Sequence, residues 1–189
     1  MLTLYWMNTK IKSMIVIIDT SAILSGKPIN FDNAIMITTS SVYNELKPGG
    51  RDYQTLQFLM EKGLSINSPS QDSIDKIKTI SNKTGDLNRL SVADMEVLAL
   101  ALDINMAIGK EAIILTDDYS IQNVACTLNI KFESISQKGI AKRFIWIRHC
   151  LGCGKNFKEN LKTCPICGSA TKSIVSNRDS IRKRGRDDR

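Results

Sequence analysis

Two Cys-x-x-Cys pairs, Cys150-Leu-Gly-Cys153 and Cys164-Pro-Ile-Cys167, lie ten residues apart near the C-terminal end of this 189-residue chain. That spacing suits four thiolates around one Zn²⁺, two from each turn. Gly152, Gly154 and Gly168 let the backbone fold back and aim amides at the sulfurs. A segment this short builds no sufficient core of its own. A structural zinc supplies it with roughly 10–16 kcal/mol of apparent binding free energy. Two disulfides are the alternative. The opening residues, MLTLYWMNTK, show no basic region ahead of an apolar one, so they do not read as a signal peptide. A chain kept in the cytoplasm, which is reducing, holds metal rather than disulfides. Cys126 falls in an apolar helical pattern and reads as a small buried hydrophobe.

The other residues follow an alternating pattern. Met14-Ile-Val-Ile-Ile18 is a continuous β-branched run, as a buried parallel strand requires, and Asp19-Thr-Ser21 then offers helix caps. Apolar stretches at 34–38 and 112–115 read the same way, with shorter strands at 64–66 and 130–135. Between them, helices are predicted at 51–62, 70–82, 91–105 and 119–128, with a helical turn through Val42 and Leu46 and a loop at 83–90. The helix SVADMEVLALALDIN is apolar at nearly every turn and so deeply buried. Strands alternating with helices give an α/β fold with a central parallel sheet covered on both faces. Residues 144–149 read as a strand leading into the cysteine segment. No apolar run approaches the 18 residues that would span a membrane.

Charge is unevenly divided. Residues 1–137 carry a net −3 and residues 138–189 a net +10. A mildly acidic body with a basic end points to a polyanionic partner, nucleic acid first. The organisation expected is an extension at 1–13, a body at 14–136, a linker at 137–143, the zinc segment at 144–172 and a disordered basic tail at 173–189. Met14, directly before the first strand, is an alternative start.

Ligands of an open parallel sheet gather at the carboxyl ends of its strands. Asp19 ends the first strand and Asp117 the strand at 112–116. Asp94 sits in the first turn of the long helix, and Glu45 in the short helix after the second strand. Topology brings the three aspartates to one edge, and Glu45 with them. Two unit charges 4 Å apart repel by about 4 kcal/mol at an effective dielectric near 20. Some must protonate, or a hard divalent cation must neutralise them, and oxygen ligands suit Mg²⁺ or Mn²⁺. Such a cluster activates water for attack on a phosphodiester. Bland readings stand beside this one. Ser91-x-x-Asp94 is also a capping box, and Asp118 is a natural N-cap for the helix at 119. His149 adjoins Cys150 and reads as a neighbour of the zinc rather than a general base.

These residues resemble a known family. Asp19-Thr-Ser after the first strand, Glu45 in SVYNEL, Asp94 in LSVADMEVLALAL and Asp117 in ILTDDYSIQNVA are similar to the PIN-domain ribonucleases. With the Cys150–Cys167 ribbon following, residues 14–170 resemble the archaeal form of the Nob-type (Nin-one-binding) endonuclease. That family matures the 3′ end of small-subunit ribosomal RNA. The resemblance implies a PIN-like, doubly wound parallel sheet at 14–136 with an appended zinc ribbon, and a site of Asp19, Glu45, Asp94 and Asp117 holding Mg²⁺ or Mn²⁺. It implies roles for Thr20 and Ser21 in positioning that site, a product with a 5′-phosphate, and precursor small-subunit rRNA as partner, bound by the PIN domain and ribbon together. Lys142, Arg143, Arg148, Lys155, Lys158 and Lys162 are candidates to track phosphates. Phe157 or Trp146 could stack on a base, against a plainer role in the ribbon core. A PIN-type toxin ribonuclease acting on tRNA or mRNA and a non-catalytic RNA-binding assembly scaffold are the rival readings.

Overall fold

Continuous β-branched runs make strands here because both faces of their sheet are covered, so no position has to be polar. The computed structural model describes residues 14–29, 34–107, 111–136 and 142–180. In it β1 (Met14–Ile18), β2 (Ala34–Thr38), β3 (Ser65–Ile66), β4 (Ala112–Leu115) and β5 (Lys131–Glu133) pair in the order β3-β2-β1-β4-β5, every pair parallel. Ile15 lies between Ile35 and Ala112, and Ile17 between Ile37 and Ile114. Val16, Ile17, Ile18 and Ile114 are fully buried. Each such side chain removed from water contributes about 1.5–3 kcal/mol before chain entropy is counted.

Six helices connect and cover the described strands: α1 (Thr20–Leu24), α2 (Ser40–Glu45), α3 (Arg51–Glu61), α4 (Gln71–Thr84), α5 (Val92–Met106) and α6 (Tyr119–Leu128). Helix α5 buries Val97, Leu98, Ala99, Leu100 and Ala101 in succession, so its middle has no solvent face, as its sequence predicts. The strand order reverses at β1, with β2 on one side and β4 on the other. A doubly wound sheet opens a crevice at that point, at the carboxyl ends of its strands. Asp19 immediately follows β1.

The C-terminal region forms a separate antiparallel sheet of β6 (Lys142–Cys150), β7 (Asn156–Phe157) and β8 (Thr171–Ser180), in the order β7-β6-β8. Two expectations need correction. The segment from 173 is not a disordered tail through its first eight residues, because β8 runs to Ser180 and pairs with β6 back to Lys142. An edge strand gains its order from the ladder, and Ile174 and Val175 opposite Ile147 and Trp146 suffice as its apolar contribution. Lys142 and Arg143 likewise open β6 rather than closing a linker. Helix α4 runs two residues further than its periodicity suggests, ending at Thr84 on a left-handed Gly85 cap. Residues 1–13, 137–141 and 181–189, which hold the proposed extension, most of the linker and the end of the tail, lie outside the described residues. Among the described residues no helix is long and apolar enough to cross a membrane.

Candidate active site

Asp19 caps α1 and is 1% exposed. Its Oδ2 accepts three hydrogen bonds, from Ser21 N–H (3.3 Å), Ser21 Oγ–H (2.6 Å) and Thr116 Oγ1–H (2.8 Å). Its Oδ1 is buried and has no partner. Burial raises the pKa of this carboxyl, and the Ser21 and Thr116 hydrogen bonds oppose the rise. A buried carboxylate oxygen without a donor is costly unless a cation meets it. This is the observation that fits the site to a hard divalent ion.

Asp94 is the third residue of α5, in the first turn, and makes the capping box that its sequence spacing suggests. Ser91 N–H donates to Asp94 Oδ2 (2.7 Å), and Asp94 N–H donates to Ser91 Oγ (3.1 Å). Capping does not exhaust this residue. Its pKa is pushed up to about 6, chiefly by burial, with the charges of Asp19 and Asp118 adding to the rise. Asp94 therefore feels two other acids at this edge. Glu45, exposed at the end of α2, is tied to the flanks of both: Thr20 Oγ1–H donates to its Oε2 (2.6 Å) and Ser91 Oγ–H to its Oε1 (3.4 Å).

Asp117 departs from the expected set. Its Oδ1 accepts from Ile135 N–H (2.9 Å) and Ser136 N–H (3.1 Å), and its Oδ2 from Ser136 N–H (3.0 Å). Burial opposes ionisation of Asp117, but the Ser136 and Ile135 hydrogen bonds and Lys27 outweigh it and hold the carboxyl below its usual range. The carboxylate clips the chain that follows β5. The charge of Asp118 acts on Asp94, and Asp118 also caps α6, Ser120 N–H donating to Oδ1 (2.5 Å). Adjacent residues in extended backbone point to opposite sides, which sets the partners of Asp117 apart from those of Asp118. The sequence signal was present in that doublet, but the capping role of Asp118 obscured it. Thr116 is fully buried. It holds Asp19 through its hydroxyl and receives Asp118 N–H (3.0 Å). Ser21 Oγ accepts Asp117 N–H (2.9 Å), so β1 and β4 are laced together behind the acids.

The cysteines are arranged differently. Cys150, Cys153, Cys164 and Cys167 bring their Sγ atoms all within 4.8 Å of one another, and among the described residues they alone do so as a group of potential metal ligands. Cys150–Cys167 and Cys153–Cys164 sulfurs are 3.4 and 3.7 Å apart, against about 3.8 Å for a tetrahedral Zn–S site. All four are free thiols. Gly152 N–H and Cys153 N–H donate to Cys150 Sγ (3.3 and 3.4 Å). Gly152 is required by crowding, since a Cβ there would lie 2.8 Å from Ser169 Cβ. Hydrogen bonds from Ser169 bring the Cys167 thiol down to about 6. This donor set fits zinc. His149 bonds Asn156 Oδ1 through Nδ1 (2.7 Å) instead of joining it.

Of the candidate phosphate contacts, Lys155, Lys158 and Lys162 are exposed. Arg148 is committed within the ribbon: its guanidinium donates to Leu161 O (3.0 Å), Thr171 Oγ1 (3.1 Å), Ser173 Oγ (3.0 Å) and Thr171 O (3.3 Å). Lys142 and Arg143 lie in β6, and their side chains fall outside the described residues. Trp146 is half-buried with the Arg89 guanidinium 3.8 Å from its ring centre, and Phe157 is half-buried in β7.

Comparison with known proteins agrees with this architecture. Residues 16–104 match the family described as the PIN domain of ribonuclease. The chain is 37% identical over 153 residues to Endoribonuclease Nob1 of Archaeoglobus fulgidus, covering 81% of this chain and 86% of that protein. It is 36% identical to Endoribonuclease Nob1 of Pyrococcus abyssi, covering 84% and 92%. It is 40% identical over 168 residues to Ribonuclease VapC1 of Thermoplasma acidophilum, covering 89% and 82%. These alignments are longer than residues 1–136, so each reaches into the ribbon. The chain belongs to the PIN-domain ribonucleases and, among them, to the Nob1-type endoribonucleases of archaea.

Proposed function

We propose that this endoribonuclease, acting in the cytoplasm, cuts precursor small-subunit ribosomal RNA to form its mature 3′ end during ribosome biogenesis. The observation that carries the catalytic part is the unpartnered, buried Oδ1 of Asp19 beside the mutually repelling carboxyls of Asp94 and Asp118. The ribosomal substrate is supported by likeness to the Nob1 endoribonucleases over both the sheet and the ribbon.

Asp19, Asp94 and Asp118 would hold Mg²⁺ or Mn²⁺, and Glu45 would complete the rim. When bound, the ion polarises the phosphodiester and promotes in-line attack by water. Thr116 and Ser21 fix one oxygen of Asp19 and leave the other free to meet a cation. Mg²⁺ and Mn²⁺ suit such a site, because a hard ion of this size keeps several waters and takes few direct protein ligands. Glu45, exposed and held by two hydroxyls, orients the attacking water. Asp117 serves as a structural clip. The ribbon holds its zinc with Cys150, Cys153, Cys164 and Cys167, and Lys155, Lys158 and Lys162 meet phosphates.

A second reading, a toxin ribonuclease cutting tRNA or mRNA, is favoured by the likeness to Ribonuclease VapC1. Incubating the full chain and Mn²⁺ with RNA spanning the small-subunit 3′ end, and with tRNA, separates the two. Single-site cutting of the ribosomal RNA, abolished in Asp94→Asn while binding persists, is the expected result. Preferred cutting of tRNA supports the toxin reading. Binding of both RNAs without cutting in Mn²⁺ overturns both and leaves a scaffold.

A further inference from the structure

The ribbon grips the catalytic body through a buried polar knot. Asn123, in α6 and 2% exposed, uses its carboxamide as a neighbouring strand uses its backbone. Phe144 N–H donates to its Oδ1 (2.7 Å), and its Nδ2 donates to Phe144 O (2.9 Å). The same Nδ2 donates to Asp86 Oδ2 (2.7 Å), on a residue 1% exposed. The Trp146 side chain adds a hydrogen bond to Asp86, and Arg89 lies both near that carboxylate and over the Trp146 ring. Gly85, at φ +80°, presses on the same tryptophan; a Cβ there would come within 2.5 Å of Trp146 O. Phe144 and Trp146 belong to β6. Gly85, Asp86, Arg89 and Asn123 belong to the body.

Both body elements in the knot lead straight to the acidic edge. Asn123 lies five residues after Asp118, on the helix that Asp118 caps. Asp86 and Arg89 form the turn, closed by Arg89 N–H to Asp86 O (2.7 Å), that feeds the Ser91–Asp94 capping box. A short helix and a hydrogen-bonded turn move as units. Buried polar groups are satisfied in one arrangement only, so the knot admits one docked position.

We propose that Asn123 and Asp86 are positioning residues: by gripping β6 they set the starts of α5 and α6, and with them the spacing of Asp94 and Asp118. The inference rests on reading those acids as cation ligands. It makes the ribbon part of the machinery that shapes the metal site, in addition to any contact it makes with RNA.

The test uses zinc-loaded full-length protein carrying Trp6→Phe, so that Trp146 alone reports by fluorescence. Asn123→Asp places two carboxylates in contact and opens the knot; adding Asp86→Asn returns a donor to face the new acid. Mn²⁺ affinity is measured by electron paramagnetic resonance, with zinc content and circular dichroism as controls. Asn123→Asp is expected to red-shift the Trp146 emission and weaken Mn²⁺ binding by about fivefold or more. The double variant recovers at least half of that loss. Where Asn123→Asp fails to fold, Asn123→Ser removes the same contacts without a charge and is read identically. A shifted emission with unchanged Mn²⁺ affinity overturns the proposal, as does weakened affinity with unmoved emission. A wild-type protein that binds no Mn²⁺ overturns the metal reading beneath it, which is a separate result.

Discussion

The ribbon and the acidic edge both gather anionic side chains, and they do so by opposite means. The four sulfurs come from residues 150–167, two of them exposed, and reach near-tetrahedral separations through hairpin geometry alone. The acids proposed as ligands come from positions 19, 45, 94 and 118 and are joined only by the winding of the sheet. Burial raises the carboxyls of Asp19 and Asp94. A closed local cage makes a staple, whereas an open, long-range cluster leaves room for water and substrate. The contrast is between a site where a bound ion would maintain the fold and a site where the fold would hold the ion.

Removing one ligand from each tests that contrast most severely. Cys164→Ser is expected to release the zinc and withdraw roughly 10–16 kcal/mol from ribbon folding. Zinc content falls to zero and amide exchange accelerates across β6–β8, while the helical signal of the body persists. A variant that keeps one equivalent of zinc contradicts the four-thiolate assignment. Asp19→Asn should do the reverse. The fold and zinc remain, because Oδ2 keeps its donors, but cleavage falls at least about a thousandfold as several kcal/mol of transition-state stabilisation are lost. Near-normal turnover would show that the orphaned oxygen faces no cation.

A finer comparison sets neighbours against each other. Asp118→Asn is expected to weaken Mn²⁺ binding by about 10–100-fold with little change in melting temperature. Asp117→Asn should leave Mn²⁺ binding nearly intact and cost about 1 kcal/mol of stability, since it loses only charge-assisted bonds from Ile135 and Ser136. Calorimetric titration and thermal melts read both. Exchanged phenotypes would restore Asp117 to the metal set.

How much of this was legible in the sequence follows the same division. The ribbon cysteines, the buried strands and α5 were readable because their signals are local: fixed Cys spacing, unbroken apolar runs, a helix apolar on all sides. The parallel sheet made Asp19 and Asp94 candidates, since topology alone sends them to one edge. What escaped was orientation. Nothing in Thr-Asp-Asp tells which carboxyl turns toward β5, and that choice depends on the Ile135 and Ser136 amides, about eighteen residues away. Arg148 looked like a free phosphate contact because a guanidinium in a basic region usually is one; its partners are backbone carbonyls and hydroxyls that only the hairpin brings near. Strand β8 was hidden by polar composition, which an edge strand tolerates.

The smallest effect concerns protons. Asp94 titrates at about 6 in the folded protein against an ordinary 3.8. In the metal-free state a raised carboxyl stabilises the fold fully below pH 3.8, and that contribution is lost as pH rises through about 6. A cation reverses the preference, because it needs the carboxylate. Mn²⁺ affinity should therefore climb by about tenfold per pH unit up to about 6 and level off above it, the slope of one displaced proton. Asp19 is raised by the same burial and steepens the lower part of the curve. Zinc binding should follow a broader profile, because its thiols are spread, with Cys167 held down to about 6 by Ser169 and Cys153 pushed up to about 11 against its Lys155 hydrogen bond by burial and its sulfur neighbours. Measuring Mn²⁺ affinity between pH 5 and 7.5 on zinc-loaded protein decides the matter. A flat line would mean that Asp94 is a helix cap and nothing more; a slope that vanishes in Asp94→Asn would make it a ligand whose proton the metal must displace.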